Sequence, residues 1–258
     1  MKHVLITICG RAGSKGFRNK NLKEFCGQPL VYYTLSAAEL FCRQRPELSV
    51  DICLNTDSPQ LAALVQRAYP QVQLVQRPPE LGGDAVPKMA VFQHSLRAME
   101  QLRGVQYDFH IDLDITSPLR QAQDLDGAVR LFESEPGLDL VMSAAPSRRS
   151  PYFNMAQEDA DGYAHRVIEN RNTARQQAPV CFDINASIYV FRRDFLLHNA
   201  GSDLWAGRIR LYRMADTGIL DIDSEEDYQM MELIARQLYA VKPGYAQVRQ
   251  NIRSPSED

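Results

Sequence analysis

Cysteine is scarce in this chain. Five cysteines stand among 258 residues (Cys9, Cys26, Cys42, Cys53 and Cys181), an odd number, widely spread, with no Cys-x-x-Cys pair. That pattern excludes a disulfide frame and a zinc knuckle, and a reduced, cytoplasmic chain is expected. Long apolar runs are also missing. The stretch Val4–Cys9 is halted at once by Gly10-Arg11, too short for a signal-peptide core or a membrane span. Positive charge is not in excess either: 29 Lys and Arg face 32 Asp and Glu, a net charge of −3. Neither a nucleic-acid partner nor a membrane partner is expected. Two common phosphate-binding patterns are absent, the dinucleotide Gly-x-Gly-x-x-Gly and the P-loop Gly-x4-Gly-Lys-Ser/Thr.

What is present is an alternation. Val4–Cys9, Val50–Leu54, Val72–Val75, Phe109–Leu113 and Leu138–Met142 have the apolar, partly β-branched character of strands buried on both faces. Between them, helical stretches cover Val31–Phe41, Gln60–Tyr69, Met89–Leu102 and Asp124–Glu133. Repeated strand–helix–strand units predict an α/β fold with right-handed crossovers and a mostly parallel, doubly wound sheet. Residues 144–182 turn polar and arginine-rich, an excursion inserted into one domain spanning 1–241. Ala186–Phe191 returns to strand character and Asp223–Tyr239 to helix, while 242–258 is expected as a flexible tail, with no appended catalytic domain after Tyr239. Ligands of such sheets lie at the carboxyl ends of the strands, so the site is expected after Cys9 and Leu113.

The loop after the first strand is Gly10-Arg-Ala-Gly-Ser-Lys-Gly16, followed by Phe-Arg-Asn-Lys-Asn21. Its glycines allow backbone N–H groups to form an oxyanion nest. Arg11, Lys15, Arg18 and Lys20 crowd like charges there, which a polyanion such as a nucleoside triphosphate would relieve. A solvated glycine-rich turn is the plainer alternative.

These residues carry a resemblance. Arg11-x-x-Ser14-Lys15-Gly16 with Lys20-Asn21, then Gly27-Gln-Pro-Leu30, resembles the opening of the CMP-sialic acid synthetases, the acylneuraminate cytidylyltransferases. Further segments follow in order: Asn55-Thr-Asp57, Arg77-Pro-Pro-Glu-Leu81 with Asp84, Thr116-Ser-Pro-Leu-Arg120, Arg175–Pro179, Asn185–Tyr189 and Asp221-Ile-Asp223. The likeness spans roughly residues 3–235. It implies a nucleotide-diphospho-sugar transferase (Rossmann-like) fold with an inserted dimerisation segment, and a homodimer with partly shared sites. It also implies CTP and a nine-carbon 2-keto sugar acid as substrates, with pyrophosphate released. By the same likeness Arg11, Ser14, Lys15, Lys20, Asn21 and Arg77 hold the nucleotide. Asp114, Thr116, Ser117, Arg120, Arg175 and Asn185 hold the sugar, and Asp221 and Asp223 bind Mg²⁺. Arg11, Lys15, Lys20 and Asp223 would be the catalytic group. Independently, carboxylates two apart on extended backbone point the same way and could share a Mg²⁺ ion with phosphates and water. Ser224-x-x-Asp227 is close to a helix-capping box, which is compatible with that role.

Four positions, at three places in the chain, depart from the family pattern. Asp114-Ile115 replaces a usual Gln-Pro, Asp183 replaces a frequent arginine, and Lys88 stands where a small residue is common. Together with Arg148–Asn154 they resemble the legionaminic-acid branch. Asp112-Leu-Asp114 is a second candidate metal pair, although Asp112 is better read as a hydrogen-bonded carboxylate near a strand end. His94, His110, His165 and His198 are expected to be structural or exposed, and Trp205, Tyr152 and Phe153 to be packing residues. The alternatives are a Kdo-type cytidylyltransferase, a nucleotide-sugar-dependent glycosyltransferase, or a silent nucleotide-binding protein.

Overall fold

The computed structural model describes residues 1–13, 17–169, 174–199, 203–217 and 221–254, without the Arg175 side chain. Strand β1 (Lys2–Gly10) is followed by a small hairpin, β2 (Glu24–Phe25) and β3 (Gln28–Pro29), then α1 (Leu30–Gln44) and β4 (Leu48–Thr56). Next come α2 (Pro59–Ala68), β5 (Gln73–Gln76), α3 (Lys88–Arg103), β6 (Phe109–Asp114), α4 (Ala122–Ser134) and β7 (Leu140–Pro146). The hairpin β8 (Ala156–Glu158) and β9 (Ala164–Arg166) interrupts the domain. Then β10 (Phe182–Arg192), α5 (Arg193–His198), β11 (Ile209–Arg213), α6 (Glu225–Val241) and α7 (Pro243–Gln250) complete it.

Seven strands form one sheet in the order β11-β7-β10-β6-β1-β4-β5. Its pairs are parallel except those made by β10, which runs antiparallel between β6 and β7. The predicted mostly parallel α/β sheet is what the structure has. The apolar run in β1 is explained by its central place. Val4, Ile6 and Ile8 join the core beneath α1, α2 and α4, while Leu5 joins the opposite core with Met89, Phe92 and Leu96 of α3. A strand covered on both faces is apolar at nearly every buried position, and here only Thr7 breaks the run from Val4 to Cys9.

From β1 the chain moves outward through β4 and β5, then α3 carries it back so that β6 lands on the other side of β1. That reversal is the switch point at which α/β sheets open a crevice. Among the described residues the excursion after β7 contributes no hydrophobic core of its own, and every residue of β8 and β9 is exposed.

Over its described part, 242–254, the C-terminal stretch corrects the sequence-based expectation of a flexible tail over 242–258. Pro243 opens α7, and Tyr245 and Val248 are buried against the body of the domain. Ser36 Oγ in α1 donates to the Val248 carbonyl at 2.5 Å. With only two buried side chains in eight residues, this helix carries too short an apolar period to stand out in the sequence. Proline at its first position is the signal that was available.

Candidate active site

A cavity of about 380 Å³ opens at the carboxyl ends of β1 and β6, within the size range of small-molecule sites. β1 delivers its loop through Gly10, where a methyl group would overlap Leu61 and Ile115. The loop's entry is pinned: Asn21 Nδ2 donates to the Arg11 carbonyl at 3.2 Å and the Ala12 N–H to Asp57 Oδ1 at 2.7 Å. Arg11 reaches the cavity and pairs with Asp84. Lys20 crosses to the loop before α6, donating to the Ile222 carbonyl at 3.0 Å and to Asp223 Oδ1 at 2.8 Å. Arg77 is buried at the wall, its Nε on Asn55 Oδ1 at 2.8 Å and its Nη2 on the Asn55 carbonyl at 3.1 Å. Ser14 and Lys15 lie outside the described residues, as does the side chain of Arg175.

Besides Asp84, four carboxylates meet this cavity: Asp112, Asp114, Asp221 and Asp223. Burial pushes the Asp112 carboxyl up to about 7, although Thr7 Oγ1 donates to it at 2.7 Å. The same hydroxyl is also hydrogen-bonded to His110 Nε2 at 3.0 Å, joining the three side chains. Burial pushes His110 down to about 3. These hydrogen bonds bear out the structural reading of His110 and the hydrogen-bonded reading of Asp112.

Asp114 behaves oppositely. Burial would raise it, but the Lys88 ammonium at 2.6 Å and the donors of Thr116 hold it below the usual carboxylate range. Lys88 is raised in turn, chiefly by the Asp114 charge. Asp221 is pushed up to about 6 by burial, then by Asp223 and Asp114, with Lys20 and Lys88 opposing. A half-buried carboxyl destabilised by like charges gains from a divalent cation. Oxygen donors are also the ones Mg²⁺ takes when phosphates and waters complete its shell. Asp221 and Asp223 fit that role as a pair. Among the described residues no three His, Cys, Asp or Glu side chains form a self-sufficient metal cluster.

The expected sugar-side residues divide. Thr116 lines the main cavity, whereas Ser117 and Asn185 line a narrow neighbouring crevice with Met214 and Met231. Asn185 Oδ1 accepts from Ser143 Oγ at 2.5 Å. Arg120 is a correction to the expectation of a direct sugar contact. Its side chain is wholly buried, donating to Ser187 Oγ at 3.0 Å, Thr34 Oγ1 at 3.3 Å, the Ser117 carbonyl at 2.7 Å and the Asp114 carbonyl. It fastens the loop after β6 to β10 where that strand shifts register and Ala186 takes φ 53°. An arginine closing a binding-loop motif looks like a ligand in sequence; its four internal acceptors come largely from elements the motif does not contain. Thr7 escapes a reading of the sequence for the same reason. Its partner Asp112 lies directly opposite on β6, and that register is not written in either segment.

A family model described as cytidylyltransferase matches residues 5–239. Post-translational flagellin modification protein B of Campylobacter coli is 33% identical over 237 residues, 92% of this chain and 97% of that protein. CMP-N,N'-diacetyllegionaminic acid synthase of Campylobacter jejuni is 34% identical over 234 residues, 91% of this chain and 95% of that protein. Among solved structures, a CMP:2-keto-3-deoxy-manno-octonic acid synthetase complexed with CTP aligns with a TM-score of 0.64 at 18% identity. The alignment covers 92% of this chain and 99% of that one, and at that identity the likeness speaks for the fold.

Proposed function

The chain belongs to the cytidylyltransferase family, and from that premise we propose that it forms a CMP-nonulosonic acid. CTP and a nine-carbon 2-keto sugar acid, N,N'-diacetyllegionaminate or a near relative, are the substrates, and pyrophosphate is the second product. The observation carrying this reading is the cavity itself. Cationic Arg11 and Lys20 line it together with the Asp221–Asp223 pair, Lys20 directly against Asp223, at the carboxyl ends of β1 and β6.

The anomeric hydroxyl of the sugar attacks the α-phosphorus of CTP. A new O–P bond forms as the bond to the bridging oxygen breaks, and pyrophosphate leaves in line. Arg11, Ser14, Lys15 and Lys20 hold the phosphates and offset their charge, with Asn21 and Arg77 on the nucleoside side. Thr116 and its neighbours hold the sugar, with Asn185 reaching it from the adjoining crevice and Arg175 as a further sugar contact. Asp221 and Asp223 would hold Mg²⁺, which when bound would supply charge withdrawal from the reacting phosphate and lower the hydroxyl's pKa. The excursion is read as a dimerisation segment, supported by Tyr163 and Val180, exposed at 70% and 80%. Five unpaired cysteines support a cytoplasmic location.

The test is pyrophosphate release from CTP with Mg²⁺, offering N,N'-diacetyllegionaminate, N-acetylneuraminate and Kdo separately. Turnover with the first, abolished by chelator, is expected. Turnover with Kdo alone would replace the acceptor assignment, and release with none would refute the reaction.

A further inference from the structure

Lys88 is the first residue of α3, where a cation is disfavoured by the helix dipole. Helix stability therefore does not account for it. Its ammonium lies in the wall of the cavity, 2.6 Å from Asp114 Oδ2, and its side chain is 56% exposed whereas that of Asp114 is 14% exposed. Asp114 is itself fixed, because its other oxygen accepts from the Thr116 N–H at 3.0 Å and the Thr116 hydroxyl at 2.9 Å. Thr116, Asp114 and Lys88 thus form a chain that aims one ammonium from the end of β6 into the cavity. An ammonium has three donors, and Asp114 occupies one. Lys88 lines the same cavity as the candidate metal pair, Asp221 and Asp223.

Resting on the function proposed above, we infer that Lys88, positioned by Asp114, is a specificity-determining contact to a substrate oxyanion at the reacting centre. Two such oxyanions meet there. One is the acceptor's carboxylate, bonded to the same carbon as the attacking hydroxyl; the other is the α-phosphate of CTP. Both offer the charge-assisted acceptor that a pinned ammonium selects.

The experiment measures dissociation constants by calorimetry for CTP with Mg²⁺ and for N,N'-diacetyllegionaminate. The proteins are wild type, Lys88→Met, Asp114→Asn and the double variant, with melting temperatures taken alongside. In Lys88→Met, one of the two ligands should bind about 10- to 100-fold more weakly, the loss of a charge-assisted contact. Loss confined to the sugar acid assigns the carboxylate, and loss confined to CTP assigns the phosphate. The double variant should recover at least about threefold of that loss, because Asp114→Asn removes the unneutralised carboxylate left facing the ligand, the non-additivity of a contacting pair. Unchanged binding of both ligands overturns the inference. So does a loss that follows the melting temperature and is not relieved in the double variant. A wild-type protein that binds both ligands but releases no pyrophosphate would refute the proposed reaction alone.

Discussion

Asp112 and Asp114 stand two residues apart on β6, yet their surroundings drive them in opposite directions. Asp112 is buried with the neutral Thr7 hydroxyl as a donor and is pushed up to about 7. Asp114 has the Lys88 ammonium beside it and stays ionised to well below the usual range. Side chains two apart share a strand face, so the split comes from what each meets across that face. Divergent carboxyls of this kind gather at sites of chemistry.

Asp112→Asn should stabilise the ligand-free protein at pH 8. With a folded value of about 7 against an ordinary 3.8, the native state keeps a proton between those values that the unfolded chain has released. Wild-type stability therefore rises as pH falls through that window, by up to about 1.4 kcal/mol per pH unit. The asparagine variant carries no such charge and can still accept from Thr7. Its advantage in thermal melts should be greatest above pH 7 and gone below pH 4. A constant difference across the range would show that Asp112 does not titrate there.

Asp221 makes a related prediction for the metal. Its carboxyl is pushed up to about 6 by burial and by Asp223 and Asp114, so protons compete with Mg²⁺ for it near that pH. The Mg²⁺-induced rise in melting temperature with CTP present should be full at pH 7.5 and shrink as pH drops through 6. Asp221→Asn should melt higher than wild type without metal at pH 7.5 and lose most of the Mg²⁺ response.

Lys20→Ala should lower kcat/KM at least about a hundredfold, the scale of removing one preorganised charge from a transition state. Its ion pair with the largely exposed Asp223 contributes little to stability, about 0–1 kcal/mol. Melting should therefore hardly change, and steady-state kinetics beside a thermal melt separates the two effects.

Much of this is legible in the sequence because it is local. The continuous apolar run in β1, the basic glycine loop and Asp221-Ile-Asp223 each occupy a few successive residues, and all border one cavity. What is not legible depends on register and distant acceptors. Thr7 meets Asp112 and His110 only once β1 pairs with β6. Lys88 stands out as a departure and so does Asp114, but their pairing needs the start of α3 to be packed beside the end of β6. The helix α7 reads as a tail because its stabilising contacts lie on α1, some two hundred residues earlier.

Truncation after Val241 should show directly that this segment is not dispensable. It uncovers Ala37 and Leu40 of α1, which pack with Val248 in a small cluster, and removes the buried Tyr245. Tyr245→Ala alone should cost about 3 kcal/mol in denaturant unfolding, as for other buried aromatics. A loose tail would leave the unfolding midpoint where it is.

Arg120 gives the sharpest separation between a scaffold and a ligand contact. As a sugar contact it would be exposed to the cavity, and its loss would raise the acceptor KM in an otherwise intact fold. Instead it is wholly buried, with burial pushing its guanidinium down to about 10, and it holds groups from α1, the loop after β6 and the bulge of β10. Removing it takes the donor from the Ser117 carbonyl and from the Ser187 and Thr34 hydroxyl oxygens in a dry interior, and leaves the Asp114 carbonyl with the Thr34 hydroxyl alone; each unpaired group there costs about 1–3 kcal/mol. Arg120→Leu should therefore lose several kcal/mol of stability by urea unfolding, and Arg120→Lys should recover only part, since one ammonium cannot span four acceptors. Binding of CTP and of sugar acid should weaken together, in proportion to the unfolded fraction. A variant that melts like wild type and fails only with the sugar acid would return Arg120 to the binding site.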